Sequence, residues 1–328
     1  MGNRKITLRD IYLARDRISL TVRKTPLIFS GSLSEQAGAS VHLKLESLQE
    51  TGSFKARGAA NKLISLSSQE KSCGVIAFST GNHGRAVAYM AKQMGIHAVI
   101  CLSNRVPHYR VEAMQTLGAE VVQHGSSQDE AYNHALKLEK DRGLTMINPF
   151  DDPMIIAGQG TIGIEILEDL PNVDSVVVPL SGGGLIAGIA LALKSADSRI
   201  RIIGVSMDCA PAMYHSLKAG KPVEVEEKDS LADALLGGIG LDNAYTFPIV
   251  RDTVDDIVLV SEEEIAAAMR FALDTHRLVV EGAGAVGIAA ILHDHITDLG
   301  QNVAVVVSGS NVDISLLTDI IANRYKKH

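Results

Sequence analysis

The chain has 328 residues, 46% of them hydrophobic, and a formal net charge of −7. A chain of this length buries a large core and ordinarily divides into two domains, and a mild acidic balance without a basic stripe argues against nucleic acid as a partner. Cys73, Cys101 and Cys209 are odd in number and lack metal-ligand spacing, which argues against a disulfide framework and for a reducing, cytoplasmic setting. All three read as buried packing residues. The amino terminus lacks the apolar core of a signal peptide, and no apolar run approaches the ~20 residues of a membrane span, so no membrane association is expected.

In chain order, residues 7–22 carry Ile11, Leu13, Ile18 and Leu20 among charges behind Thr7, which predicts an amphipathic helix ended by Thr25-Pro26-Leu27. A short helix over 32–37 and a strand over 41–46 follow. Helices over 55–66, 83–94, 108–117 and 128–142 then alternate with strands over 74–79, 97–102, 119–123 and 144–148. Further on come helix 160–169, strand 173–180, helix 185–195, strand 200–206 and a helix near 211–219. The polar stretch 221–229 reads as a surface loop, and strand 256–261, helices 262–277 and 283–294, strand 303–308 and helix 314–325 complete the pattern. Near-continuous apolar strands alternating with helices mark parallel sheets covered on both faces. The fold class is α/β, with two doubly wound lobes: residues 1–50 plus 151–328 as the large domain and 51–150 as the small one.

Within this frame Ser53-Phe54-Lys55-Ala56-Arg57-Gly58 stands between a strand and a helix. That places the Lys55 amine on a first helical turn, where unpaired N–H groups and the dipole disfavour an ammonium and prepare a nucleophile or base. Ser181-Gly182-Gly183-Gly184-Leu185, between a strand and a helix, suits an anion such as phosphate, because glycines admit close backbone approach and successive N–H groups point at it. The same segment satisfies the dinucleotide pattern G-x-G-x-x-A through Ala187, with Asp208 about where a ribose-binding acid would stand. Spacing alone leaves NAD, and hence an oxidoreductase, open.

Taken together, the Lys55 stretch, Ser79-Thr80-Gly81-Asn82-His83-Gly84, the 181–185 loop and Ser308-Gly309-Ser310-Asn311 resemble, in that order, the fold type II pyridoxal 5'-phosphate (PLP) enzymes of the serine/threonine dehydratase and serine racemase group. The resemblance spans nearly the whole chain. It implies that Lys55 holds the cofactor aldehyde covalently and then serves as general base, that Phe54 covers a ring face, and that Asn82 hydrogen-bonds the ring hydroxyl. Main-chain amides of 182–185 (Gly182, Gly183, Gly184 and Leu185) hold the phosphate, with Ser181 also binding the cofactor, and Ser308 faces the pyridine nitrogen. A neutral hydroxyl there does not keep that nitrogen protonated, which favours departure of a leaving group over long-lived carbanion chemistry. Ser79, Thr80, Gly81, Asn82 and His83 correspond to the loop for the substrate carboxylate, and Arg85 is placed to read a further polar group. Thr80 stands where serine racemase carries its second acid/base serine; its hydroxyl can donate, but its methyl crowds that face, so weak racemisation is expected.

Two departures bear on metals and regulation. Ser206 and Ala212 replace carboxylates of the divalent-cation cluster found in many relatives, so no metal is expected, and no regulatory domain is expected after residue 328. The motifs at 79–85, 206–207 and 236–243 look most like the hydroxyectoine-utilisation dehydratases, which implies removal of water from a β-hydroxy-α-amino acid derived from that ring. Serine/threonine ammonia-lyase is the near alternative. Apolar helices at both termini suggest a homodimer.

Overall fold

The computed structural model describes residues 5–79, 81–126, 128–322 and 324. Its strands are β1 (Leu27–Phe29), β2 (Ser40–Leu45), β3 (Val75–Phe78), β4 (Ala98–Leu102), β5 (Glu120–Gln123), β6 (Thr145–Met146), β7 (Ser175–Pro179), β8 (Arg201–Met207), β9 (Asp256–Val260) and β10 (Asn302–Val307). They form a six-stranded sheet in the order β1-β2-β10-β7-β8-β9 and a four-stranded sheet in the order β5-β4-β3-β6. The smaller sheet is parallel throughout. In the larger one only β1 runs antiparallel, to β2.

The apolar runs follow from burial on both faces. Val303, Val305 and Val307 of β10 enter one core with Val286, Ala289 and Ala290, whereas Ala304 and Val306 enter the opposite core with Ile186, Ala187 and Ile189. A buried valine contributes about 1.5–3 kcal/mol, so alternation with polar residues would be costly here. The smaller sheet repeats the arrangement: Val75, Ala77 and Ile100 face one core, and Ile76, Val99 and Cys101 the other.

Several elements differ from the sequence expectation. The first helix, Leu8–Ile18, stops before Leu20, which is fully exposed. Leu27–Phe29 pairs as an edge strand where a terminator was expected, because three residues are too few to show a period. Helix Ser68–Cys73 was missed; Ser67 and Glu70 form a reciprocal capping box at its start, and Cys73 at its end is exposed, not a packing residue. Helix Pro153–Asp169 begins well before residue 160, with Asp152 accepting from the Met154 and Ile155 N–H groups. Glycines that lower its helix propensity are required by packing: a Cβ on Gly160 would lie 2.9 Å from the Gly188 carbonyl oxygen of the neighbouring helix Gly184–Ala196. Helix Thr246–Thr253, interrupted in sequence by Pro248, was also missed. No helix among the described residues is long and apolar enough to cross a membrane.

A buried ionic cluster ties the elements that carry the lysine stretch. Arg57, on helix Lys55–Ser65, donates from Nε and Nη2 to Glu46, both at 2.8 Å, and from Nη1 and Nη2 to Glu165 at 2.6 and 2.8 Å. Lys44 Nζ reaches Glu165 Oε2 at 2.6 Å and the Thr25 carbonyl at 2.7 Å, and Thr25 Oγ1 donates to Glu46 Oε1. The Arg57 and Lys44 side chains are essentially inaccessible. The fork geometry of arginine satisfies two carboxylates at once, so the cluster sets the start of helix Lys55–Ser65 against β2 and helix Pro153–Asp169.

Candidate active site

Lys55 is the first residue of its helix, directly after β2 and a short 3-10 turn at Glu46–Leu48. The segment ahead of it is fixed from the far end of the chain. The Phe54 N–H donates to the Ser308 carbonyl at 3.0 Å, Ser53 bridges to Gly309, and the Ser310 N–H donates to the Gly52 carbonyl at 2.8 Å. Lys55 Nζ donates to the Pro149 carbonyl at 2.6 Å and lies 5.2 Å from the centre of the Phe54 ring. Burial pushes its ammonium down to about 8, so an appreciable share of neutral amine exists near neutrality.

The glycine loop follows β7 and opens helix Gly184–Ala196. Gly183 has φ +88°, a left-handed conformation, and a Cβ there would meet Met213 Cε at 2.9 Å. A Cβ on Gly182 would fall 2.4 Å from the Phe150 ring, so both positions exclude any side chain while leaving the main chain open to the cleft. Opposite, Ser79 Oγ accepts from the Gly81 N–H at 3.2 Å, and Asn82 and His83 begin helix Asn82–Met94. His83 is buried and donates from Nε2 to the Ile147 carbonyl at 2.8 Å. Desolvation and the nearby Lys55 charge hold it down to about 3, so it is a neutral donor whose Nε2 proton is already committed. Ser308 directly follows β10, buried, with Oγ 3.5 Å from the Ala283 carbonyl.

One cleft of about 1180 Å³ gathers Phe54, Lys55, Ser79, Gly81, Asn82, His83, Arg85, Ser181, Gly182, Gly183, Gly184, Leu185 and Ser308. Thr80, the expected second acid/base, lies outside the described residues. Ser206 and Ala212 fall at the end of β8 and the start of helix Ala212–Ala219. Sequence reasoning gave no role to Glu281, Asn311, Arg110 or Asp233, all of which line the cleft. Glu281 stands just before helix Gly282–Leu292 and is buried, and desolvation together with Asp233 pushes its carboxyl up to about 7. The visible signal was a single carboxylate in the otherwise apolar run from Val279 to Val286. Arg110, on helix His108–Thr116, pairs with Asp233, both lining the cleft.

This site brings a desolvated amine, a glycine turn ahead of a helix, and Ser79, Gly81, Asn82 and His83 into one cleft. A family model described as pyridoxal-phosphate dependent enzyme matches residues 18–309. The chain belongs to that family. A Sinorhizobium fredii protein provisionally named threonine dehydratase is 52% identical, covering 96% of this chain and 95% of its own. An L-threonine ammonia-lyase of Thermotoga maritima is 45% identical, covering 96% of this chain and 78% of its own. The solved structure of maize serine racemase matches with a TM-score of 0.91 at 34% identity over 97% of each chain. The choice between a phosphate cradle and a dinucleotide loop, open from glycine spacing, therefore falls to pyridoxal 5'-phosphate. The residues fit it: an amine for its aldehyde and a side-chain-free cradle for its phosphate share one cleft.

The depressed Lys55 ammonium gives a measurable sign. Only the neutral amine attacks an aldehyde, so capture of PLP by cofactor-stripped protein is expected to accelerate with pH and level off above about 8. Rapid-mixing absorption against pH checks this, since an unperturbed lysine would keep accelerating toward 10.5.

Proposed function

We propose that this protein is an ammonia-lyase that removes water from a β-hydroxy-α-amino acid, with threonine or serine as the substrate class. The observation that carries this reading is the Lys55 amine, held partly neutral by burial, in the same cleft as the glycine cradle and Ser79, Gly81, Asn82 and His83. PLP, when bound, withdraws electron density from the substrate Cα and acidifies its proton. Lys55 Nζ takes that proton as general base. The N–H groups of residues 182–185 hold the phosphate, and those of Ser79 to His83 receive the substrate carboxylate. Ser308 presents a neutral hydroxyl, which does not maintain a positive ring nitrogen, so departure of the β-hydroxyl competes well against reprotonation at Cα. His83, neutral and bonded to Ile147, orients the loop without moving a proton.

A second reading, dehydration of ring-opened hydroxyectoine, is favoured by the carboxylates lining the cleft. Glu224, Glu226 and Asp242 suit a substrate carrying a second amine, and the cleft has room for it. A panel of L-threonine, L-serine and 2,4-diamino-3-hydroxybutanoate, assayed for ammonia and keto acid, separates the two readings by kcat/KM. Lyase turnover is expected to exceed racemisation by about tenfold or more for every substrate accepted. A chiral assay showing the reverse ratio would overturn the lyase reading.

The architecture proposed with this function has a large lobe of residues 1–50 plus 151–328 and a small lobe of 51–150, closing on the cleft. A homodimer is also proposed, supported by the exposed Leu13 and Ile314 on the first and last helices. Light scattering tests that assembly.

A further inference from the structure

Three side chains form a hydrogen-bonded file along the cleft. Asn311 Nδ2 donates to Asn82 Oδ1 at 2.6 Å, and Asn82 Nδ2 donates to Glu281 Oε1 at 2.6 Å. Both ends are fixed to main chain. Asn311 Nδ2 also donates to the Thr51 carbonyl at 2.9 Å, and the Glu281 N–H donates to the Gly309 carbonyl at 3.1 Å. Two glycines make the room: a Cβ on Gly309 would sit 2.1 Å from Glu281 Oε1, and one on Gly52, at φ +75°, would sit 2.5 Å from Asn311 Oδ1.

Only one orientation of the Asn82 amide satisfies this file. Turned over, its NH₂ would face the Asn311 NH₂ and its oxygen would face the Glu281 carboxyl. Two hydrogens sit on Asn82 Nδ2; Glu281 takes one, and the other is the donor that Asn82 can offer to the cleft it lines.

We propose that Glu281 and Asn311 are positioning residues that lock the Asn82 amide, so that Asn82 donates a hydrogen bond to the ring oxygen of PLP and does not accept one. This rests on the assignment of Asn82 to the cofactor ring. A donor at that oxygen stabilises its anionic form, whereas an inverted amide would present an acceptor and favour the protonated form. The relay therefore sets the protonation of the bound cofactor through two residues that need not touch it.

The test compares holoenzymes of E281A, N311A, E281Q and N82A by visible absorption at saturating PLP across pH, together with PLP titration of the stripped proteins. E281A and N311A are expected to raise the pH midpoint of the cofactor band by about one unit and to weaken PLP binding about tenfold. E281Q, whose amide oxygen still accepts from Asn82, is expected to stay within about twofold of the parent. Loss of fold alone would lower the melting temperature without moving the band of the loaded protein. A shifted N82A beside unmoved E281A and N311A would overturn the relay and leave the Asn82 assignment standing; an unmoved N82A would overturn both. E281Q as impaired as E281A would also overturn the proposal. Should E281A fail to fold, N311A, a half-buried position, decides.

Discussion

Replacing Lys55 with alanine is expected to abolish borohydride-fixed cofactor and to lower turnover by about a thousandfold or more. The change removes both the group that attaches PLP and the group placed to take the Cα proton, while the glycine cradle stays intact. Non-covalent PLP binding should therefore persist, weakened, and the visible band of the lysine-bound cofactor should vanish. Added methylamine, which supplies a free primary amine, is expected to restore part of the proton transfer in the variant. Digestion and mass spectrometry of reduced protein check the attachment point. An undiminished adduct in the variant would remove Lys55 from the mechanism. A band that survives with full activity would do the same.

Replacing Arg57 with leucine is expected to destabilise the protein by about 3–5 kcal/mol, the usual cost of stranding buried charges. Its guanidinium makes contacts of 2.6–2.8 Å with Glu46 and Glu165, and no water reaches the Glu46 side chain to replace them. Lys44 still faces Glu165, so the stranded group is chiefly Glu46. The bound guanidinium holds the Glu46 carboxyl below its ordinary range despite desolvation, and its loss forces that carboxyl to protonate in the native state. The variant should consequently gain stability on acidification down to about 4.5, the ordinary carboxylate value, whereas the parent loses stability as the pH falls below it. Lysine at this position is expected to rescue little, because a point charge cannot serve two carboxylates in the fork geometry. Urea denaturation at two pH values measures both effects, and a loss under about 1 kcal/mol would show that the cluster is not a stability determinant.

How much of this was legible from the residues depended on the reach of each signal. Lys55 at a strand-to-helix junction and the three consecutive glycines are local patterns, and the structure places both in one cleft. Strands such as Val303–Val307 were visible because burial on both faces leaves an unbroken apolar run. Helix Thr246–Thr253 was not, because Asn243 and Asp151 supply its initiating hydrogen bonds and Asp151 lies far away in sequence. The glycines at 158, 160 and 163 hid the start of helix Pro153–Asp169 for a related reason: propensity reads them as breakers, while helix Lys55–Ser65 at Gly158 and helix Gly184–Ala196 at Gly160 and Gly163 require their small size. Glu281 and Asn311 act through partners about 200 residues distant, which no window along the chain can reveal.

The position of β10 between β2 and β7 has a consequence for biosynthesis. Until Asn302–Val307 has left the ribosome, the six-stranded sheet exists as two pieces with bare edges, and the clasp on the Lys55 segment has no second half. Such edges are sticky, and closure over some 250 residues of intervening chain is slow. The nascent polypeptide therefore has to be kept from aggregating until β10 has emerged, and competence to take up cofactor arrives only with that strand.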